Sequence, residues 1–212
     1  MARPKSYNRA EVVDRVRDLF WKHGYQGLGI RAIEEETGLG RFAIRTEFGG
    51  KEGLMLEALA SYTGDTDTYV HQVLRARDDT EAIVEILEGM VTPHPETMRH
   101  LGCLMVNTSV ENAALDSGPL REATNKHFDT LRDEVAALLI RGRAHGKVRI
   151  DVDPASGAEF VKGAVIAAMV LNRAAGDASG GAGFISEAVR TVRGWAETGQ
   201  AELLGEAANT SH

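Results

Sequence analysis

Apolar and polar residues follow each other along the chain with the period of amphipathic helices, and Gly, Pro and capping residues separate the segments. The first segment covers about residues 9–23, where Asn8 is the predicted N-cap and Gly24 is the predicted stop with a positive φ. Two shorter segments follow, at about residues 30–38 and 41–48. Because no segment has the period of a strand, the pattern predicts helices only.

Further helical segments are predicted after the Gly49-Gly50 pair. They cover about residues 51–73, 80–92, 98–106, 118–146, 154–174 and 184–204. The segment at 98–106 is apolar almost all round, which predicts a buried helix at the centre of a second domain, with Cys103 in its middle. Residues 148–151 are expected to be extended or loop, and the small, Gly-rich residues 174–183 predict a linker.

The composition favours packing between helices over a sheet core. Only 6% of the 212 residues are aromatic, whereas Ala and Leu are abundant. We therefore predict an all-α fold with a three-helix domain at residues 1–55, a larger helical domain at 56–204 and a flexible tail at 205–212.

Two further features limit the class of protein. The single Cys excludes an intramolecular disulfide. The longest apolar run, residues 164–171, is far shorter than the roughly 18 residues of a membrane span, and no signal-peptide pattern follows Met1. We expect no membrane partner and a cytoplasmic location.

Charge is unevenly distributed within the formal total of −7. Residues 1–60 carry ten Lys or Arg and nine Asp or Glu, whereas the remainder carries 14 basic and 22 acidic residues. This asymmetry indicates a small N-terminal module whose partner differs from that of the acidic body.

The two short N-terminal helices, joined by Gly38-Leu39-Gly40, predict a helix-turn-helix whose second helix enters the major groove of DNA. Several short motifs then make a family resemblance specific. These are Leu19-Phe20, Gly24-Tyr25, Ile30-Arg31-Ala32-Ile33, Gly38-Leu39, Phe48-Gly49-Gly50-Lys51-Glu52 and Leu54. In this order and spacing, over about residues 9–59, the chain resembles the DNA-binding domain of TetR-family transcriptional repressors.

The resemblance implies a repressor that a small molecule releases from a palindromic double-stranded DNA operator. It implies DNA contacts by Arg31, Gly40, Arg41, Phe42, Arg45, Thr46 and Lys51. Arg45 replaces the family's phosphate-contacting Tyr, and an Arg at this position either binds phosphate or reads a guanine edge. Two further residues depart from the family pattern. Gly40 has no side chain to provide the usual N-cap, and Glu34 replaces a small residue.

The basic residues Arg3, Lys5 and Arg9 lie before and at the start of the first helix. Like the arms of homeodomains, they either reach a minor groove and the phosphates beside it or form an unordered basic terminus.

The larger domain also resembles the family's ligand-binding and dimerisation domain. Within it, residues 102–108 resemble a segment of one branch of the family, which includes regulators such as AcuR and NemR. We expect the effector to be small and hydrophobic or weakly polar, because the acidic body offers no basic cluster. The predicted ligand-binding residues are Met90, Cys103, Met105, Asn107, Glu111 and Phe128.

Cys103 has two interpretations, packing in the core or sensing of electrophiles. His94, Glu96, His100 and Cys103 match no complete metal-binding spacing, so we predict no metal site and no cofactor. Asn172 is expected to form hydrogen bonds at a helix interface.

Dimerisation is predicted through helices at about residues 153–174 and 184–204, two from each copy forming a four-helix bundle. The apolar stripe of the last helix lies at the end of the chain, where a monomer would leave it partly exposed. The predicted interface residues are Val165, Met169, Ile185, Val189, Val192 and Trp195.

Enzyme activity is not expected. Spacing supports no Ser-His-Asp triad, and the chain lacks a Gly-rich phosphate loop and the Glu-x-x-His pairs of di-iron bundles. The alternative is a small all-helical enzyme, or a binding protein for a hydrophobic metabolite, with a vestigial helix-turn-helix. The acidic run Glu34-Glu35-Glu36 keeps this alternative open.

Overall fold

The computed structural model describes residues 7–92 and 98–197, and over these residues the chain is helical. The α-helices are α1 (Arg9–Gly27), α2 (Ile30–Thr37), α3 (Arg41–Glu47), α4 (Lys51–Ala76), α5 (Thr80–Val91), α6 (Leu104–Leu115), α7 (Gly118–Ala144), α8 (Pro154–Ala175) and α9 (Ala182–Arg193). A 3₁₀ turn covers Arg99–Leu101. The predicted all-α class is confirmed.

Contacts divide the chain into two compact units that differ from the division predicted at residue 55. The first contains the described residues up to Thr68 together with Cys103–His127, and the second contains Tyr69–Gly102 and the described residues from Phe128 onward. Helix α6, in the middle of the predicted ligand-binding domain, therefore belongs with α1 to α3. Helices α4 and α7 each contribute residues to both units.

Capping residues and glycines define the helices of the first unit. The side chain of Asn8 accepts a hydrogen bond from the backbone N of Ala10 at 3.1 Å, which confirms the predicted N-cap. Gly24 interrupts α1 with φ 74° and ψ 168°, and Gly38 ends α2 with φ 72°. Both glycines adopt the left-handed region, which costs other residues free energy.

The second unit is built around contacts of α5 with α8 and α9. Asp79 and Asp153 cap α5 and α8 by accepting from the backbone N of Ala82 and Ser156, at 3.2 and 2.9 Å. Asn172 is fully buried. Its amide donates to the carbonyl of Met90 at 3.0 Å, and its Oδ1 accepts from a backbone N at 2.8 Å. The predicted interfacial role of Asn172 is thus confirmed.

The predicted helix at residues 98–106 is wrong in its first part. Gly102 has φ 72°, and a Cβ atom there would lie 2.6 Å from the carbonyl oxygen of Met169, so the chain turns at Gly102. Cys103 is the N-cap residue of α6, which begins only at Leu104, and it is buried. Helix α6 packs against α1 and not at the centre of a second domain.

The last helix is shorter than predicted. Helix α9 ends at Arg193, so Trp195 follows the helix instead of extending its stripe. The backbone of residues 195–197 pairs with the segment after α7: the N of Arg149 donates to the carbonyl of Trp195 at 2.9 Å, and the N of Glu197 donates to that of Lys147 at 3.1 Å. The predicted tail at 205–212 lies outside the described residues.

Most of the predicted dimer interface is buried inside the single chain. Met169, Ile185 and Val189 are buried, and Val192 is 0% exposed. The premise that a monomer would expose this stripe is therefore wrong, because the apolar side of α9 packs against α5 and α8. The large apolar side chains that α8 and α9 do expose are Phe160, Val170, Leu171 and Phe184.

Helix α8 is long and apolar enough to cross a membrane by length and composition, with a mean hydropathy of 1.3 over its best 18-residue window. A core helix of a soluble protein passes the same test. The buried side of α8, which includes Val161, Ala164 and Ala168, belongs to a helix packed on α5 and α9 within the second unit. The hydropathy of α8 is accordingly weak evidence for a membrane span.

Candidate nucleic-acid interface

Helices α2 and α3 bury one side and expose the other. Ile33, Leu39 and Ile44 are buried in the first unit. Phe42 is 78% exposed although it is apolar. The predicted DNA-contact residues at the start of and along α3 are all exposed, namely Gly40, Arg41, Phe42, Arg45 and Thr46. One side of α3 is thus available to a partner.

Glu34 supplies the helix cap that Gly40 lacks. Its Oε1 accepts from the backbone N of Arg41 at 2.7 Å, and its Oε2 lies 3.2 Å from Nη2 of the same residue. The backbone N–H of Arg41, followed by its guanidinium, lowers the pKa of the Glu34 carboxyl below its ordinary value. In the sequence, Glu34 stands out as the replacement of a small residue and as part of an acidic run, but not as a cap, since a capping partner seven residues away is not a local motif.

The arginines of the helix-turn-helix differ in their partners. Arg31 pairs with Glu35 one turn later at 2.8 Å, and Arg41 pairs with Glu34. Across residues 7–92 and 98–197, the guanidinium of Arg45 has neither a hydrogen bond nor an ion pair. Arg45 is therefore the arginine of α3 whose donors are all available to a ligand.

Arg9 joins α1 to the end of α3 and to α4 through contacts within the protein. Its guanidinium pairs with Glu57 of α4, donates to the carbonyl of Glu47 at 3.1 Å and lies 3.9 Å from the ring centroid of Phe48. Tyr7 donates to the carboxylate of Glu47 at 2.7 Å. The structure thus places Arg9 against the end of α3 instead of in a DNA-binding arm, whereas Arg3 and Lys5 lie outside the described residues.

Lys51 lies at the start of α4 and is half-buried. Its Nζ is 4.4 Å from the ring centroid of Tyr25, in the geometry of a cation–π contact. Burial lowers the pKa of Lys51, and the negative charge of Glu111 opposes this effect. The predicted DNA contact of Lys51 would have to form from this partly enclosed position.

The predicted ligand-binding residues fall into both units. Cys103, Met105, Asn107 and Glu111 belong to the first unit, and Met90 and Phe128 belong to the second. Met105 and Phe128 are buried. Glu111 makes an unexpected contact: its Oε2 accepts from the backbone N of Tyr25 at 2.6 Å.

Two open clefts lie in the second unit, and neither is lined by the predicted ligand-binding residues. One, of about 630 Å³, lies beside Phe160, Arg190 and Trp195. The other, of about 620 Å³, lies beside Ile185 and Arg193.

The described residues bear on the predicted absence of a metal site. No group of three or more His, Cys, Asp or Glu side chains there is arranged to hold a metal ion. His94 and Glu96 lie outside these residues, so the absence of a metal stays an expectation.

Comparison with known proteins identifies the family. The sequence profile described as "Bacterial regulatory proteins, tetR family" matches residues 12–58, and the profile described as "Tetracyclin repressor-like, C-terminal domain" matches residues 81–187. The chain belongs to the TetR family. The first profile covers the helix-turn-helix. This TetR-family protein is therefore a DNA-binding transcriptional repressor, as the resemblance implied.

Individual relatives agree with this assignment. The HTH-type transcriptional repressor AcnR of Corynebacterium efficiens is 30% identical over 145 residues, which cover 68% of this chain and 71% of AcnR. A cysteine mutant of the TetR-family regulator CifR, complexed with a 26-bp operator DNA, matches with a TM-score of 0.73 and 25% identity, covering 89% of this chain and 98% of CifR. These relatives are regulators, and no family of enzymes is indicated.

One comparison bears on the branch of the family. Reduced NemR of E. coli matches with a TM-score of 0.74 at 16% identity, covering 89% of this chain and 97% of NemR. At that identity the likeness shows the fold alone, so the predicted AcuR- and NemR-like branch stays a prediction.

The cap on α3 leads to a prediction about pH. Since the folded state lowers the pKa of Glu34 below 4.5, the stabilisation by this carboxylate is complete above that pH and is lost as the pH falls through the folded-state pKa. Glu34→Gln should lower the free energy of unfolding at neutral pH, and its difference from wild type should shrink below pH 4.5. Urea denaturation at a series of pH values measures this difference. Glu36→Gln, at an exposed neighbour, is the control, and a difference that does not change with pH would contradict the capping role.

Proposed function

We propose that this TetR-family repressor binds a palindromic operator as a homodimer and leaves it when a small molecule binds. The observation that carries the proposal is the exposed side of α3, where Arg45 has no partner among the described residues and Phe42 faces solvent. An exposed aromatic ring and an unpaired guanidinium on a recognition helix both suit the major groove. The operator complex of CifR, a relative of the same fold, supports this use of the helix.

The side chains of α3 suggest distinct roles. Arg45 has its full set of donors for two parallel hydrogen bonds to a guanine edge or to a phosphate. Arg41 is oriented by Glu34, which also shields part of its charge. The ring of Phe42 fits an apolar contact with a thymine methyl group. These contacts would place sequence readout in the first half of α3 and at Arg45.

Replacing the two arginines of α3 tests the interface. Arg41→Ala and Arg45→Ala should weaken operator binding without unfolding the protein, because both side chains are exposed. If Arg45 contacts only phosphate, all sequences should weaken alike and the salt slope should fall by about one; if it reads guanine, discrimination at one base pair should fall by about 1–3 kcal/mol. Fluorescence anisotropy at several salt concentrations measures both effects. The control is Arg190→Ala, at an exposed arginine of α9, and unchanged affinity of both α3 variants would remove α3 from the interface.

The dimer is proposed to form through the exposed apolar side chains of α8 and α9. Phe160, Val170, Leu171 and Phe184 are between one third and one half exposed in the single chain. A palindromic operator requires a two-fold axis, which one isologous interface supplies. Val165 and Trp195, two of the predicted interface residues, are half-buried and stay candidates.

Two substitutions on α9 separate dimerisation from folding. Phe184→Glu, at a residue 43% exposed, should give a folded monomer, because the charge opposes only the contact with a second copy. Val192→Glu should instead destabilise the chain by several kcal/mol, since it buries a carboxylate in the packed side of α9. Light scattering at micromolar concentration and circular dichroism distinguish the two results. A Phe184→Glu variant that remains fully dimeric would contradict the proposed interface.

The effector is proposed to be a small hydrophobic or weakly polar molecule. The excess of acidic residues after residue 60 does not suit a polyanion. Met90, Cys103, Met105, Asn107 and Phe128 stay the proposed contacts, with Glu111 assigned a different role below. Bound effector is proposed to displace α4, and a dimer that reads successive major grooves needs its recognition helices about 34–36 Å apart.

A compound screen tests this response. Compounds are first selected by a rise in the melting temperature and then tested for release of operator DNA. An effector must bind the released state more tightly than the DNA-bound state, because equal affinity shifts nothing. If the stabilising compounds leave DNA affinity unchanged, the proposed coupling fails. Full induction of Cys103→Ser would limit Cys103 to packing.

A cytoplasmic location is proposed because the partner is DNA.

A further inference from the structure

Helix α6 is part of the DNA-binding unit by its contacts, although the chain places it between elements of the second unit. It packs against α1, and residues 103–127 group with the helix-turn-helix. The peptide chain enters this segment after Gly102 and leaves it before Phe128, and both of these residues belong to the second unit. The contact between α6 and α1 therefore holds, on the DNA-binding helices, a segment whose two ends continue into the second unit.

A carboxylate forms the polar part of this contact. The Oε2 of Glu111, on α6, accepts from the backbone N of Tyr25 at 2.6 Å and is 3.4 Å from that of Gln26. These amides follow the break at Gly24, where the backbone leaves the helical region. Amides just after such a break have lost the carbonyls that a continuous helix would offer, so an external acceptor stabilises them. A charged acceptor is stronger than a neutral one.

Gly24, the residue at the break, permits the contact between Glu111 and α1. A Cβ atom at position 24 would overlap the Oε1 of Glu111, so any residue other than Gly would push the carboxylate away. Gly24 is therefore required twice, once for its φ of 74° and once for the close approach of Glu111.

The contact also reaches the start of α4 and the core of the unit. The ring of Tyr25 lies beneath Nζ of Lys51, the first residue of α4, at 4.4 Å. On the other side, Tyr25 stacks on the fully buried Phe20 with 5.9 Å between ring centroids. One carboxylate on α6 thus fixes the residue that contacts both the core of α1 and the first turn of α4.

We infer that Glu111 is a positioning residue for operator binding: its carboxylate fixes α6 to the break in α1 and so holds the recognition helix at one orientation relative to α6. The inference rests on the proposed function, because its effect is expressed in the binding of a dimer to two half-sites. Without the carboxylate, the three N-terminal helices keep their own core and their DNA contacts. What they lose is the fixed orientation that selects one spacing between half-sites.

The test measures spacing preference separately from contact with DNA. DNA selected by the wild-type protein from random duplexes supplies an operator, a single half-site, and operators with one or two base pairs added between the half-sites. Glu111→Ala should reduce the preference for the native spacing about tenfold or more, within the usual range of coupling between sites. Its affinity for the single half-site should equal that of wild type. A merely structural role would instead lower both affinities together.

Three further variants make the result specific. Glu111→Gln keeps a carbonyl oxygen that accepts from the Tyr25 amide, and it should restore most of the spacing preference. Glu111→Asp is one methylene shorter and should behave like Glu111→Ala, which provides a second test if the alanine variant does not fold. Glu122→Ala, at an exposed glutamate of α7 in the same unit, is the matched control and should resemble wild type.

Hydrogen exchange provides a readout that needs no DNA. The amides of Tyr25 and Gln26 should exchange faster in Glu111→Ala and Glu111→Asp than in wild type and Glu122→Ala. If the wild-type protein selects no operator, the proposed function fails while the exchange result still tests the contact. If wild type binds its operator and the alanine and aspartate variants keep its spacing preference, the positioning role is overturned.

Discussion

The DNA-binding helices depend on carboxylates that satisfy backbone amides at helix ends and breaks. Helices α2 and α3 have eight and seven residues, and isolated helices shorter than about 12–15 residues are marginal in water. Glu34 caps α3, and Glu111 accepts from the amides that follow the break in α1. The cap from Glu34 replaces a hydrogen bond that so short a helix as α3 cannot make within itself, and Glu111 does the same at the break in the 19-residue α1. The exposed side of α3 is thus presented by a supported backbone.

Contacts of this kind also explain why residues 1–60, which are close to neutral, are compatible with a DNA partner. Two residues of the acidic run have partners within the protein: Glu34 caps α3, and Glu35 forms an ion pair with Arg31. Glu57 pairs with Arg9, which also lies over Phe48. The charge that DNA meets is set by which groups remain without internal partners, and net charge does not describe this distribution. The acidic run at residues 34–36 therefore counts little against a repressor.

Local signals predicted the helices well, whereas contacts between distant residues were missed. Asn8, Asp79 and Asp153 cap helices at the positions that their sequence context indicates, because a cap acts within three residues. The period of α9 likewise showed that Val192 lies on an apolar side. It did not show whether that side packs on the same chain or on a second copy, since both give the same pattern. Glu111 carries no local motif, because its partner Tyr25 lies 86 residues away in the sequence.

The division of the chain into units bears on how the two halves communicate. A boundary near residue 55 would join them through α4 alone. The observed units are joined by the chain at three points instead, within α4, before α6 and within α7. Two of these connections are continuous helices of 26 and 27 residues, whose successive hydrogen bonds make them stiff along their axes. A displacement at one end of such a helix is carried to its other end, so α4 and α7 support the proposed response to an effector that does not touch the recognition helix. The connection before α6 is not a continuous helix, and the helix that follows it is held within the first unit by the contact of Glu111 with α1.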